Sequence, residues 1–461
     1  VTGPDPAGRT RATGPRAWIP AAWAALLGLL VLGPALGPGY VLSYDMVWVP
    51  DLALRRDFLG VGSGLPRAVP SDAVVAVLDE VVPGMVLQKL VLLGTLVAAG
   101  AGAAALVSRL PVTGRTPGLA AQCLAVSVYV WNPFVVERLV LGHWPVLIGY
   151  AALPWLVLAA RRHRVTGRPG VLLVLLPLAS LSASAGLAAA AAALAFGAAR
   201  ARRGANALLV ALVLAANAPW LVSGVLHAAD ATTDPAGAEA FAVRGEGPLP
   251  APLAALGLGG IWNAEVVPTT REGPLAVAAL VALVALAVAG ARSWWRATTR
   301  RDATALVALW VLGYGTAILG WAAPGAVAWL AGTVPGGGLL RDGSRLLGLC
   351  VPLVACLVAH GTVRATGWLA DPDQRRFVGA VLVLVPVSLM PDAGWGASGR
   401  LAAVAYPASY GETRDAVGDG DGADLVVLPF TSYRRRRGTT DARSSTRSGA
   451  TCGPTSWPAT S

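Results

Sequence analysis

A carboxylate, an imidazole and several guanidiniums occur at spacings that would let them meet a polar substrate beside apolar chain. In Gly37-Pro-Gly-Tyr-Val-Leu-Ser-Tyr-Asp45-Met-Val-Trp-Val-Pro-Asp51, Asp45 is set among Tyr44, Met46, Val47 and Trp48. Partial burial by such neighbours disfavours the ionised form and makes the carboxylate a stronger proton acceptor. A loop carboxylate capping a turn would have the same surroundings. A second group is Trp131-Asn132-Pro133-Phe134-Val135-Val136-Glu137-Arg138 followed by Gly142-His143-Trp144-Pro145. It gathers an amide, an acid, a cation and an imidazole at one helix end. Arg138 there can grip a phosphate or anionic headgroup bidentately, with His143 as a second donor. A Glu137/Arg138 pair snorkelling beside an aromatic belt is the commoner source of such a pattern. The third is Gly336-Gly-Gly-Leu-Leu-Arg341-Asp342-Gly-Ser344-Arg345, where glycines can bring backbone N–H groups to an anion between two arginines. A structural linker fits it equally. Without a GK[ST] step it does not support nucleotide hydrolysis.

Other polar residues carry less. Gln88 and Lys89 enter an apolar stretch, where bonding to a neighbouring helix and snorkelling are the first explanations. Arg55-Arg56 reads as a solvated pair, although it could steer an anionic lipid. His163 and His360 look incidental, and His227 with Asp230 and Asp234 resembles a turn more than a divalent-cation site. No Ser-His-Asp or HExxH pattern occurs. Cys123, Cys350 and Cys356 lie in apolar segments and Cys452 in the tail, which gives neither a disulfide framework nor a CxxC metal site. No cofactor is implied, and a divalent cation is left open.

The elements that must hold these groups are set by composition. Of 461 residues, 55% are hydrophobic and 13% charged, against about 25% charged in soluble chains, so lipid must be the solvent for much of the surface. The net charge of +11 comes from arginines clustered between apolar stretches, which is a topological pattern and not a nucleic-acid footprint. A span needs about 20 apolar residues. Stretches of that kind cover 17–36, 84–107, 118–136, 144–160, 205–226, 274–291, 303–321, 344–363 and 377–390. The apolar stretch 169–200 has arginines at both ends and Ser180, Ser182, Ser184 and Gly186 in its middle, so it is expected to form a hairpin of two short helices. The expectation is an all-α membrane protein, a polytopic helical bundle of about eleven transmembrane helices. Its cytoplasmic connections would carry Arg109, Arg115, Arg161, Arg164, Arg200, Arg300 and Arg376, by the positive-inside rule.

That frame gives a cytoplasmic N-terminus over 1–16, with Arg9, Arg11 and Arg16 ahead of a retained first helix, and a transmembrane domain over 17–390. Exoplasmic loops are expected at 37–83, 227–273 and 322–343, the last holding an interfacial helix. An exoplasmic C-terminal domain would begin over 391–433, opening on a buried strand at Asp424-Leu-Val-Val-Leu-Pro-Phe430. From 434 to 461 the chain is Arg, Ser, Thr, Gly and Pro with almost no aliphatic residue, the composition of a disordered tail or of a GC-rich gene read out of frame. The shifted frame is favoured, because a one-nucleotide shift within the final ten residues can give Leu-Arg-Pro-Asp-Val-Val-Ala-Ser-Asp.

An acid soon after the first span, Asn132-Pro133-Phe134 with Glu137-Arg138 and Gly142-His143-Trp144, Pro154-Trp155, Asn217-Ala-Pro-Trp220 and Leu340-Arg341-Asp342-Gly-Ser-Arg345 together resemble the membrane core of GT-C glycosyltransferases. The similarity is nearest to the cell-wall arabinofuranosyltransferase group and covers about 17–430, without the long exoplasmic carbohydrate-binding region of large members. The resemblance implies a multi-pass plasma-membrane enzyme with an exoplasmic C-terminus. Such an enzyme moves a sugar, here arabinofuranose, from a polyprenyl-phosphate donor to a glycan or lipid acceptor of the cell envelope. It implies Asp45 as catalytic base, with Asp51 as second candidate, and Arg138, His143, Arg341 and Arg345 as donor phosphate ligands. Asn132, Glu137, Trp144 and Asp342 would support them. A flippase for lipid-linked glycans and a noncatalytic envelope-assembly protein are the competing expectations. No nucleic-acid partner is expected.

Overall fold

The computed structural model describes residues 18–62, 68–113, 117–228 and 234–417, together with the backbone of 433–434 and 444–445. The N-terminal arginines, Arg115, Asp230, the expected strand 424–430, Cys452 and most of the tail lie outside the described residues.

The first helix, α1 (Ile19–Leu32), passes into a 3-10 turn over Gly33–Leu36, and the first loop follows. Strand β1 (Tyr40–Val41) pairs antiparallel with β2 (Ala403–Val404), tying that loop to the chain beyond the last span. After α2 (Ser71–Asp79) comes the long α3 (Gly84–Arg109). Gln88, fully buried on α3, accepts from Val41 N–H and donates to Val41 C=O, each at 2.8 Å, so it holds β1 by both backbone groups. Lys89 Nζ donates to Ala35 C=O at 2.6 Å, ending at the mouth of α1.

The expected span 118–136 is longer and divided into α4 (Leu119–Val130) and α5 (Pro133–Leu141). Pro133 supplies no N–H and disfavours helical backbone at the residue before it. Asn132 is accordingly extended, and its side chain caps α5 by accepting from Val135 N–H at 3.0 Å. At the far end Gly142 turns left-handed at φ 83°, and His143 N–H reaches back to Arg138 C=O at 2.9 Å, closing α5 with a Schellman-type turn. α6 (Trp144–Thr166) starts at once, with Pro145 in its first turn.

The stretch 169–200 does form a hairpin, α7 (Leu172–Ala179) and α8 (Ala183–Gly197), broken at Ser180–Ser182 where the serines were expected to interrupt it. A Cβ on Gly149 would meet Ala185 Cβ and Ala179 C=O, so the turn sits near the start of α6. Arg164 near the other end of α6 donates to Phe196 C=O at 3.1 Å, so both arms return toward that end. With eight and fifteen residues, the arms reach only about 12 and 22 Å at 1.5 Å per residue, short of a roughly 30 Å hydrocarbon core.

Next come α9 (Arg203–Leu226), the short loop helices α10 (Gly237–Ala240) and α11 (Ala251–Leu256), and then α12 (Pro274–Ala297) and α13 (Arg300–Ala322). A helix does occupy the third loop, α14 (Pro324–Thr333), with Trp329 exposed. The following span, Gly343–Gly367, begins as a 3-10 helix over Gly343–Cys350 and continues as α15 (Val351–Gly367). The last, α16 (Pro372–Leu389), is bent by 71° from the short segment that follows it. The expected count of about eleven thus resolves among the described residues into eight full spans, a ninth carrying the bent extension, and the hairpin.

Burial orders the bundle. The spans Leu119–Leu141 and Gly343–Gly367 are 83% and 89% buried, while α12 and α9 are 17% and 22% buried. The first two form the axis, and the apolar faces of α9 and α12, such as Val225 and Val288, are left for lipid. The two ends of the bundle differ. At the end of α6 that carries Arg161 and Arg164, both pair with the fully buried Asp302 of α13, at 3.1 and 2.7 Å. The opposite end carries the cluster described next.

Candidate functional site

The turn between α5 and α6 is a platform for the first loop. Ser43 and Met46 exchange two backbone hydrogen bonds, Ser43 N to Met46 O at 3.1 Å and Met46 N to Ser43 O at 2.8 Å, which makes Tyr44 and Asp45 the corner of a tight hairpin. Asp45 N–H donates to Leu141 C=O at 3.2 Å, and Ser43 Oγ to Val140 C=O at 2.5 Å. A side chain at Gly142 would collide with this corner, since its Cβ would stand 2.5 Å from Ser43 O and nearer still to Met46 N. Glycine is required there twice, for its left-handed φ and for the close approach. Trp48 and Trp144 pack edge to face at 5.4 Å beside it.

The docked corner sets Asp45 Oδ2 3.3 Å from His143 Nε2. On the other side of the ring, Nδ1 lies 3.1 Å from Arg138 Nη1. A guanidinium has no acceptor, so Nδ1 accepts from Arg138 and the ring proton resides on Nε2, which donates to Asp45. Burial pushes the His143 pKa down to about 4; Arg345 and Arg138 act in the same direction and the Asp45 carboxylate against it. His143 is therefore a neutral donor at ordinary pH.

Arg138 also pairs with Asp342 Oδ2 at 3.4 Å and donates to Ser344 Oγ, which in turn donates to Asp342 Oδ1 at 2.5 Å. Arg345 Nε closes the chain on Asp342 Oδ2 at 2.9 Å. Burial alone would raise the Asp342 pKa, but Arg138 and Arg345 outweigh it and hold the carboxyl well below the usual carboxylate range. The result is a continuous line, Asp45, His143, Arg138, Asp342, Arg345. Its three middle members are at most 7% exposed and its two end members each 33%. A carboxylate and a guanidinium, each 33% exposed, thus terminate a buried, hydrogen-bonded series of side chains.

The sequence-derived residues divide accordingly. Asp45, Arg138, His143, Asp342 and Arg345 come together. Arg138 is 1% exposed, with its two terminal nitrogens on His143, Asp342 and Ser344 and its Nε without a partner among the described residues. Arg341 lies half-buried against Phe241, its guanidinium 4.6 Å from the ring centroid. Asp51 is exposed, and its charge is felt at Tyr40 together with that of Asp79. Asn132 is a helix cap whose amide also donates to Tyr150 Oη at 3.2 Å, and Trp144 is an apolar support. Glu137 belongs to a second buried cluster. It lies within electrostatic reach of Glu246, whose Oε2 accepts from Arg271 Nε at 2.7 Å and stands 2.6 Å from Nη2 as an ion pair.

Sequence reasoning missed Glu246 and Arg271. It also missed Glu265, whose Oε2 accepts from Tyr44 Oη at 2.5 Å. The available signal was weak: two acids and an arginine in a long loop otherwise rich in small residues. His227 has its ring nitrogens 2.9 Å from Ser223 C=O and 3.0 Å from Gly62 C=O, a neutral ring donating to one of the two, and Asp234 caps Ala236 N–H, so these two serve the backbone. Among the described residues no three His, Cys, Asp or Glu side chains converge as a metal ion would need.

No protein-family model matches the chain, and no curated protein matches it. Fold and site together define a polytopic all-α membrane protein, mostly helical, with a polar line of five side chains at one end of its most buried helices.

Proposed function

We propose that this chain is a GT-C-type glycosyltransferase, moving a sugar, arabinofuranose by the resemblance, from a polyprenyl-phosphate donor to a glycan or lipid hydroxyl at the exoplasmic surface of the plasma membrane. The observation that carries it is the Asp45–His143–Arg138–Asp342–Arg345 line. In this reading Asp45 is the catalytic base. The acceptor hydroxyl gives its proton to the Asp45 carboxylate as its oxygen bonds the anomeric carbon, and the bond from that carbon to the phosphate oxygen breaks with its electron pair leaving on polyprenyl phosphate. His143 donates to one oxygen of Asp45 and so fixes its orientation. Arg345, with Arg341 nearby in sequence, supplies positive charge for the departing phosphate.

Orientation is supported by the arginines collected at the opposite end of α6, which the positive-inside rule assigns to the cytoplasm. A placed general base contributes about 10² to 10⁴ in rate. In purified, reconstituted protein, Asp45→Asn should lower transfer from a polyprenyl-phosphate sugar by about that factor and leave donor binding largely intact. Unchanged turnover would defeat the assignment, as would reporter fusions that put the residue-45 loop in the cytosol.

A further inference from the structure

We infer that Tyr44 and Glu265 form a positioning pair that aims Asp45, so that the second long loop controls the base held by the first. The inference rests on the reading of Asp45 as the proton acceptor. Tyr44 occupies the first corner of the Ser43–Met46 hairpin with φ 43°, a left-handed conformation that an L side chain adopts only when its surroundings enforce it. Two things enforce it here. The ring is 9% exposed, and its hydroxyl donates to Glu265 Oε2 at 2.5 Å.

Glu265 is itself fixed from behind. It lies in a 3-10 turn, Ala264–Val266, capped by Asn263 Oδ1, which accepts from Glu265 N–H at 3.0 Å. Arg400 Nη1 donates to Glu265 C=O at 3.2 Å and to Val267 C=O at 3.0 Å. The chain of constraint runs from Arg400 through the Glu265 turn to the Tyr44 hydroxyl, and from the Tyr44 backbone to the next residue, Asp45, whose carboxylate faces His143 at 3.3 Å. Releasing the hydroxyl lets the corner relax toward ordinary backbone and swings Asp45 relative to the ring. Tyr44 and Glu265 would therefore act through Asp45 without touching the reacting atoms.

The test uses the full chain in lipid nanodiscs. Tyr44→Phe keeps the buried ring and removes the bond; kcat should fall about tenfold with donor KM unchanged, the size of effect expected from one lost positioning hydrogen bond. Glu265→Gln retains an acceptor oxygen and should stay within about twofold of wild type. Glu265→Ala should match Tyr44→Phe, and the double variant should lose no more than either alone. An arm independent of turnover follows the His143 Nε2–H by NMR of protein carrying 15N-histidine: its exchange with solvent should speed up about tenfold in Tyr44→Phe, as the Asp45 acceptor drifts away. A change confined to KM, or unchanged kcat together with unchanged exchange, overturns the pair. If the wild-type protein transfers no sugar, the glycosyltransferase reading falls. The exchange arm then decides positioning alone, with faster exchange supporting it and equal exchange refuting it.

Discussion

Replacing Gly142 tests the construction of the site more directly than replacing any charged residue, because no functional group is removed. A Cβ there would stand 2.5 Å from Ser43 O and 2.8 Å from Met46 Cβ, whereas real Cβ atoms keep at least 3.0 Å. The hairpin must therefore retreat by more than half an ångström. Asp45 is its corner, so the 3.3 Å contact with His143 should open to about 4 Å, past hydrogen-bond reach. The left-handed φ of 83° adds about 1–2 kcal/mol for alanine and most other residues with a side chain. Weakening the Ser43 and Asp45 bonds to Val140 and Leu141 adds roughly 1 kcal/mol each. A misplacement of about 1 Å at a reacting group costs on the order of 10² in rate. In the sugar-transfer assay Gly142→Ala should thus lose about 10² in kcat with donor affinity kept. Gly142→Asn should fail to the same degree, since asparagine tolerates the φ but brings the same Cβ. Gly315→Ala, where a Cβ meets nothing within 4 Å, is the control and should behave as wild type. Wild-type turnover and melting temperature in Gly142→Ala would refute both the docking of the hairpin and the role of the Asp45–His143 contact.

Two further outcomes follow from the charges. His143 has its folded-state pKa depressed to about 4 from an unfolded value near 6.5, so the unfolded chain binds the extra proton first and stability falls as pH drops from about 6.5 toward 4, by at most about 3 kcal/mol. Thermal unfolding in detergent across that window should show the loss, and His143→Gln should flatten it; a slope that survives His143→Gln would reject this residue as its source. Asp342→Asn removes the counter-charge shared by Arg138 and Arg345 and should destabilise by about 3 kcal/mol, whereas Arg138→Met with Asp342→Leu should cost clearly less than the sum of the two single changes. Additive melting shifts would show that the pair is not coupled.

The sequence made the fold legible where composition is decisive. Apolar length located the spans, and the serines at 180, 182 and 184 located the hairpin turn because short polar side chains compete for backbone hydrogen bonds and favour caps over helix interiors. Counting crossings put Asp45, His143 and Asp342 at one end, which sufficed to suggest a site. It did not give the roles. Arg138 reads from sequence as a phosphate ligand, yet every residue of α5 is buried, so no amphipathic pattern exists from which its direction could be read. Its partner Asp342 is 204 positions away, and Tyr44 and Glu265 are 221 apart. Pairs at such separations leave no local periodicity. The division of one expected span at Asn132-Pro133 was visible in principle, since proline removes a helix hydrogen bond, disfavours helical backbone at the residue before it, and here follows an asparagine suited to capping; its consequence, a short helix whose far end carries the site, needed the structure.

The energetics of the line argue for precision over stability as its reason to exist. Burying Arg138 and Asp342 together incurs a desolvation cost that their attraction only roughly offsets, and apolar residues of similar volume would serve the bundle as well or better. The apolar packing around it already supplies cohesion, since the spans Leu119–Leu141 and Gly343–Gly367 are the most enclosed of the bundle. What apolar residues cannot do is fix the tautomer of an imidazole. Arg138 can only donate, so it forces Nδ1 to accept and Nε2 to present its proton to Asp45. Asp342 and Ser344 hold Arg138 in the one orientation that does this, and Asp342 ties Arg345 into the same frame. A carboxylate and a guanidinium at the exposed ends are thereby held in fixed relation through three buried groups, so a reaction that needs both at once meets little reorganisation.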